Sequence, residues 1–108
     1  MDNTSPFLAM QRAELLLKGV LRTLDSDMLD AAEKKVVATI KRLAVDVRIN
    51  LRDYELSETR AEQLRNAVAA KKRIAKLQAN ILHASMVFGP VDVAQLDAQL
   101  EQISEMIT

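Results

Sequence analysis

The chain has 108 residues and no net formal charge at neutral pH, which leaves room for one domain and gives no global electrostatic reason to bind nucleic acid or an anionic membrane. It contains no cysteine, and this excludes disulfide bonds, thiolate metal sites and cysteine nucleophiles. Its apolar residues are mostly Ala, Leu, Val, Ile and Met, with only 3% aromatic residues, two glycines and two prolines, a composition that predicts an all-α fold.

Helices 1 and 2 are predicted over residues 5–24 and 27–56. Ser5 followed by Pro6 is a typical N-cap and first helical position, and the polar cluster of residues 25–27 is expected to end helix 1 and cap helix 2. Gly19 falls within helix 1, where a close helix crossing would explain it. The core face of helix 1 is predicted to comprise Ala9, Ala13, Leu16, Leu17, Val20 and Leu24. That of helix 2 comprises Leu29, Val36, Ile40, Leu43, Val47, Leu51 and Tyr54.

Helices 3 and 4 are predicted over residues 59–88 and 92–107. Thr59 with Glu62 has the spacing of a capping box, and Gly89-Pro90 is a typical helix end. Asp92 with Gln95 repeats the capping-box spacing before helix 4. The apolar stripe of helix 4 comprises Val93, Leu96, Leu100, Ile103 and Ile107.

Helix 3 carries two adjoining apolar rows, the clearest pattern in the sequence. The first row comprises Ala67, Ala70, Ile74, Leu77, Ile81, Ala84 and Phe88, and the second comprises Leu64, Val68, Ala75, Leu82 and Met86. Both follow the three-and-four spacing of one helix face. A helix with two such rows is expected to meet more than one neighbour, either within one chain or between two.

These elements predict a single domain over residues 1–108, an antiparallel up-down-up-down four-helix bundle with two long central and two shorter flanking helices. Helices 2 and 3 are each expected to be about 45 Å long. Helix 1 is expected to cover the first two-thirds of helix 2, and helix 4 the last half of helix 3. The tip of the central hairpin, from Arg48 to Lys72, would then be largely uncovered.

The tip carries a candidate interface. On helix 2, a thin apolar row of Ala38, Val45, Ile49 and Leu56 lies opposite the main face, between basic residues. We predict a protein–protein interface, in a homodimer or with another protein, formed by Val45, Ile49, Leu56, Leu64 and Val68. The alternative is that single exposed apolar residues need no explanation. Asn50 lies in register with the main face and either is buried, fixing helix register, or lies at its margin.

Basic residues offer a second hypothesis, a nucleic-acid-binding protein. The candidate phosphate contacts are Arg48, Arg52, Arg60 and Arg65 near the tip. However, the acidic residues of helix 4 would lie beside the basic residues of helix 3, so charge pairing between the two helices is a simpler explanation. No aromatic residues are interleaved for base stacking.

Signals for catalysis are weak. His83 is the single histidine, on the polar side of helix 3, and its neighbours form no recognisable triad. The sequence has neither a Gly-rich phosphate loop nor the Glu-x-x-His repeats of a di-metal bundle. We therefore expect a non-enzymatic, regulatory or interaction protein without cofactor, metal or membrane span, located in the cytoplasm.

Overall fold

The fold is a bundle of four helices. The computed structural model describes residues 5–22, 28–87 and 93–107. Within these ranges the helices are α1 (Pro6–Arg22), α2 (Ala31–Glu55), α3 (Arg60–Val87) and α4 (Ala94–Met106), and the same ranges contain no strand. Neighbouring contacts run α1–α2, α2–α3, α3–α4 and α4–α1. The predicted all-α four-helix bundle, with long α2 and α3, is confirmed.

The predicted side-chain caps at Ser5 and Thr59 are confirmed, but the predicted capping box at Thr59 is only half formed. The Ser5 hydroxyl accepts the N–H of Leu8 at 3.1 Å, and the helix begins at Pro6. The Thr59 hydroxyl accepts the N–H of Glu62, also at 3.1 Å. The Glu62 carboxylate accepts the N–H of Glu58 at 3.3 Å rather than that of Thr59, so the box is offset by one residue. In each case a side-chain oxygen pairs a backbone donor that the first helical turn leaves free.

The predicted start of α2 is wrong. The N-cap is Asp30: its carboxylate accepts the N–H of Glu33 at 2.8 Å, and the Glu33 carboxylate accepts the N–H of Asp30 at 3.1 Å. This is a complete capping box with aspartate as its first residue. The polar cluster 25–27 lies outside the described residues, as do Leu24, Phe88, Gly89, Pro90 and Asp92. Helix α4 begins at Ala94, and its N-cap residue Val93 makes no side-chain capping bond.

One apolar core runs through the bundle. From α3 it takes a row that we call the buried seam, comprising Ala67, Ala70, Ile74, Leu77, Ile81 and Ala84. The remaining helices contribute Met10, Ala13, Leu17, Ile40, Leu43, Ala44, Val47, Leu51, Leu96, Leu100, Ile103 and Ile107. The sequence pattern predicted most of these positions. It omitted Met10 and Ala44, which are almost fully buried and lie in the same cluster.

The position of α1 along α2 differs from the prediction. Arg48 Nη1 lies 3.4 Å from Glu14 Oε2, which joins the middle of α1 to the later part of α2. Because antiparallel helices run in opposite directions, Arg22, eight residues after Glu14, lies level with Ile40, eight residues before Arg48. Helix α1 therefore covers the second half of α2, and the tip is covered on that side.

Helix α4 leaves the first part of α3 uncovered, as predicted. Gln78 Nε2 donates to Glu101 Oε2 at 3.1 Å. Met106, the last residue of α4, is five residues after Glu101, so it lies level with Arg73, five residues before Gln78. The part of α3 before Arg73 therefore extends beyond the end of α4. The molecule is elongated, with Cα extents of 47 × 28 × 17 Å and a radius of gyration of 14.5 Å, compared with about 13 Å for a compact chain of this length.

Polar contacts hold α2 against α3. The Asn66 amide donates to the Asp53 carbonyl at 3.2 Å and to Ser57 Oγ at 2.9 Å, which ties α3 to the end of α2. Farther along, Arg73 Nη1 donates to Asn50 Oδ1. Asn50 is only 8% exposed, so the first of the two sequence alternatives for this residue, a buried polar side chain, is what the structure shows.

Candidate interaction surface

The second apolar row of α3 lies on the surface. We call it the flank row: Leu64, Val68, Ala75, Leu82 and Met86. Its four large side chains are between 45% and 76% exposed, and Ala75 is exposed as well. The first and last residues of the row are 22 residues apart in sequence, about 33 Å along the helix. Although the flank row and the buried seam share the same spacing, only the seam is buried within the chain.

The flank row lies on the side of α3 that faces α4. Asn66 and Arg73 contact α2 and mark the opposite side, whereas Gln78 contacts α4. Leu82 is one turn from Gln78, and Val68 lies two heptads before Leu82 on the same face. Leu82 and Ala79 line an open groove together with Val93, Ala94 and Asp97 of α4. Leu82 of the flank row is thus part of one wall of a groove, and the first half of the row lies beyond the end of α4.

The other predicted interface residues form a separate surface. Ala38, Val45, Ile49 and Leu56, which we call the back row, are exposed, and the three larger side chains are between 38% and 66% exposed. Ile49 is two residues from the fully buried Val47, so it points away from the core. All five predicted residues are exposed, but the structure does not bring them together. Leu64 and Val68 belong to the flank row, and Val45, Ile49 and Leu56 to the back row.

The four candidate arginines are also dispersed. Arg48 is paired with Glu14 against α1, and Arg60 donates to Gln63 within α3 at 2.6 Å. Arg52 and Arg65 are exposed, but they lie on different helices. A straighter basic line is formed by three exposed residues at helical spacing on α3, namely Arg65, Lys72 and Lys76.

Glu14 has an unusual electrostatic environment. Burial raises the pKa of its carboxyl above the ordinary value, while Arg48 and, more weakly, Lys18 lower the pKa without cancelling the effect of burial. The side chain is 17% exposed, and its Oε1 is buried without a hydrogen-bond partner. The deprotonated carboxylate is therefore less favourable in the folded chain than in the unfolded chain.

Charge pairing between α3 and α4 is not what the structure shows. Within the described part of the chain, the single salt bridge joins α1 to α2. Lys72, Arg73 and Lys76 are exposed, and Arg73 turns toward Asn50. Asp97, Glu101 and Glu105 of α4 are exposed too. The basic residues of α3 and the acidic residues of α4 that the structure describes form no salt bridge across this contact because the buried seam and the apolar stripe of α4 occupy it. Glu101 instead accepts a hydrogen bond from Gln78.

Sequence reasoning missed the groove itself. Ala79 and Ala94 belong to no predicted row, and the sequence pattern places Asp97 only among the acidic residues of α4. Their alignment depends on how far α4 slides along α3, which helical spacing alone does not specify. His83 is exposed on the outer side of α3. Residues 5–22, 28–87 and 93–107 contain no group of three or more potential metal ligands.

Comparisons with known proteins found no counterpart. No protein-family model matches the sequence, and no similar protein was found among the curated proteins or the solved structures. In the described segments, no helix is both long enough and apolar enough to cross a bilayer.

Proposed function

We propose that this chain is a non-enzymatic interaction module that binds another protein surface through the flank row of α3. The observation that carries the proposal is the exposure of an apolar row, about 33 Å long, on a helix whose other apolar row is fully used in the core. Scattered exposed apolar residues are ordinary, but contiguous rows with a charged border are typical of contact surfaces. Here Lys72 and Lys76 border the row on one side, and Asp97 borders it on the other.

The groove strengthens this choice over the back row. A concave apolar wall allows a partner side chain to contact two helices at once, so more area is removed from water than on a single convex helix. Leu82, Ala79, Val93 and Ala94 supply such a wall. In the back row, Leu56 lines a groove with α3, but the α3 residues of that groove, Glu62, Arg65 and Asn66, are polar. The back row also carries basic residues on both sides. On its composition, we also infer that the chain acts in the cytoplasm.

A photo-crosslinking amino acid at position 82 tests the proposal. The variant is expressed in the native cell and compared with the same substitution at Gln102, an exposed polar residue of α4. We expect a discrete protein adduct, either of this chain or of another, from position 82 and none from position 102. A third variant at position 49 reports on the back row. If irradiation gives no adduct at position 82, or equal amounts of adduct at positions 82 and 102, the proposal is overturned.

A second candidate, binding to nucleic acid, rests on the basic line of Arg65, Lys72 and Lys76. Three aligned cations at helical spacing can follow a phosphate backbone, and Arg52, exposed on the neighbouring helix, forms no ion pair with any described residue. Titration of a fluorescent RNA or DNA duplex at low and moderate salt tests this candidate. A binding constant whose logarithm falls steeply with the logarithm of the salt concentration, and which is lower for Lys72→Glu, would support it. Absence of binding at low salt would remove it.

A further inference from the structure

We infer that the occupant of the flank row is a second copy of this chain, with the two α3 helices antiparallel and crossing at Ala75. The inference rests on the proposed function, because both use the same surface, and it adds the identity and the register of the partner. Three features of the surface support it: the order of side-chain sizes, the distribution of charge, and the position of the groove.

The flank row is self-complementary when reversed. Val68 and Leu82 are each seven residues from Ala75, and Leu64 and Met86 are each eleven residues from it. An antiparallel pair centred on Ala75 therefore places Val68 against the partner's Leu82 and Leu64 against its Met86. The small central side chain lets the two helix axes approach closely, since interaxial distance depends on the side chains at the crossing. A twofold axis through Ala75 repeats every contact.

Charge favours the same arrangement. Most basic residues of α3, including Lys71 and Lys72, lie in its first half, whereas Asp97 and Glu101 of α4 lie beside the second half. In the antiparallel register, Lys71 comes level with the partner's Ala79, and Lys72 with its Gln78. Those two residues adjoin Asp97 and Glu101 respectively. A parallel pair would instead place each lysine level with its own copy, which is unfavourable.

The groove supplies the space for the incoming helix. The partner's Leu64 and Val68 lie beyond the end of its own α4, so no neighbouring helix blocks them from entering the groove beside Leu82. A contact one helix wide and about 33 Å long is smaller than the ~800 Å² per partner of a standard interface. We therefore expect a reversible dimer that dissociates at micromolar concentration.

Single-cysteine variants test the register, and the absence of native cysteine makes each variant unambiguous. Ala75→Cys should form a disulfide-linked dimer under mild oxidation, because the two thiols face each other near the twofold axis. Val68→Cys and Leu82→Cys should link when mixed and remain unlinked when each is alone. Ala98→Cys, at an exposed position of α4, gives the rate of random collision, and Ile49→Cys gives the rate for the back row.

A charge exchange tests the complementarity. Lys71→Glu with Lys72→Glu should weaken dimerisation by at least about tenfold. Adding Asp97→Lys and Glu101→Lys to the same chain should restore most of the loss. Light scattering over a concentration series provides the dissociation constant, and circular dichroism confirms that each variant is folded. If Lys71→Glu with Lys72→Glu leaves the dissociation constant unchanged, the proposed arrangement is overturned.

The failure of this inference differs from failure of the proposed function. A chain that remains monomeric at all concentrations but forms an adduct with a different protein at position 82 overturns self-pairing and leaves the interaction module intact. If Val68→Cys alone forms disulfide-linked dimers as fast as its mixture with Leu82→Cys, the antiparallel register is overturned. If Ile49→Cys forms them faster than any other variant, the dimer contact lies on the back row and this inference is overturned. A monomer without any adduct at position 82 removes both proposals.

Discussion

Two rows of the same helix have opposite environments. The buried seam and the flank row of α3 share helical spacing and apolar composition, yet the seam is at most 9% exposed and the large side chains of the flank row are at least 45% exposed. The difference lies in the neighbours: α2 and the apolar stripe of α4 cover the seam, while α4 lies beside only the second half of the flank row and leaves its large side chains exposed. The spacing of apolar residues therefore predicts that a row packs against another helix, but it does not predict whether that helix belongs to the same chain.

The largest expected effect separates the two rows directly. Leu77→Ala in the buried seam should lower the free energy of unfolding by about 2–5 kcal/mol, because it removes buried methyl groups and leaves a cavity. Leu82→Ala in the flank row should change it by less than about 0.5 kcal/mol. Urea denaturation of both variants measures the difference, at a protein concentration where the chain is monomeric. Equal losses would show that the two rows are not different environments.

The side of α3 that faces α2 gives an intermediate effect. Arg73→Ala should cost about 1–3 kcal/mol, since the Asn50 side-chain oxygen, which is largely buried, loses its donor. Replacing both residues, Arg73→Ala with Asn50→Leu, should recover much of that loss because no unpaired polar group is left. The double-mutant cycle is measured by chemical denaturation. If the two single losses simply add, the contact does not stabilise the fold.

An exposed position in α1 provides a gain in place of a loss. Gly19 is exposed, and an added Cβ would meet no atom within 4 Å, so the close helix crossing expected from the sequence is wrong. Gly19→Ala should raise the free energy of unfolding by about 0.5–1 kcal/mol through lower backbone entropy in the unfolded chain. Ala13→Gly is the reverse change at a buried position of the same helix and should be destabilising by more, because it also removes a buried methyl group. A thermal melt of each variant measures both shifts.

The smallest expected effect depends on pH. The pKa of Glu14 is raised in the folded chain, so its contribution to stability is fully present below the ordinary carboxyl pKa and is lost as pH rises through the raised value. Glu14→Gln should therefore match the parent near pH 4 and exceed it near pH 7, by less than about 1 kcal/mol. Denaturation at both pH values measures this. Arg48→Gln is the opposing control and should steepen the fall of stability with pH.

Local chemistry explains what the sequence could predict. The helices, their order and most of the core follow from spacing and from caps such as Ser5 and Thr59, which act within four residues. The predicted start of α2 is misplaced because three polar residues in a row resemble a cap, whereas Asp30 has Glu33 at the distance that completes both bonds. The position of α1 along α2 could not be predicted, since sliding one helix by a turn preserves its apolar face. For the same reason the predicted interface divides into two rows.

The short helix α4 affects how the bundle moves. Val93 makes no side-chain capping bond, the last turn carries no basic residue, and Glu105 lies near the negative end of the helix dipole. A helix of only 13 residues depends on the burial of Leu96, Leu100 and Ile103 for its order. Local opening should therefore begin at α4, and its amides should exchange with solvent before those of α2 and α3. Each such opening would briefly expose the buried seam beside the flank row, so that the two rows form one apolar surface.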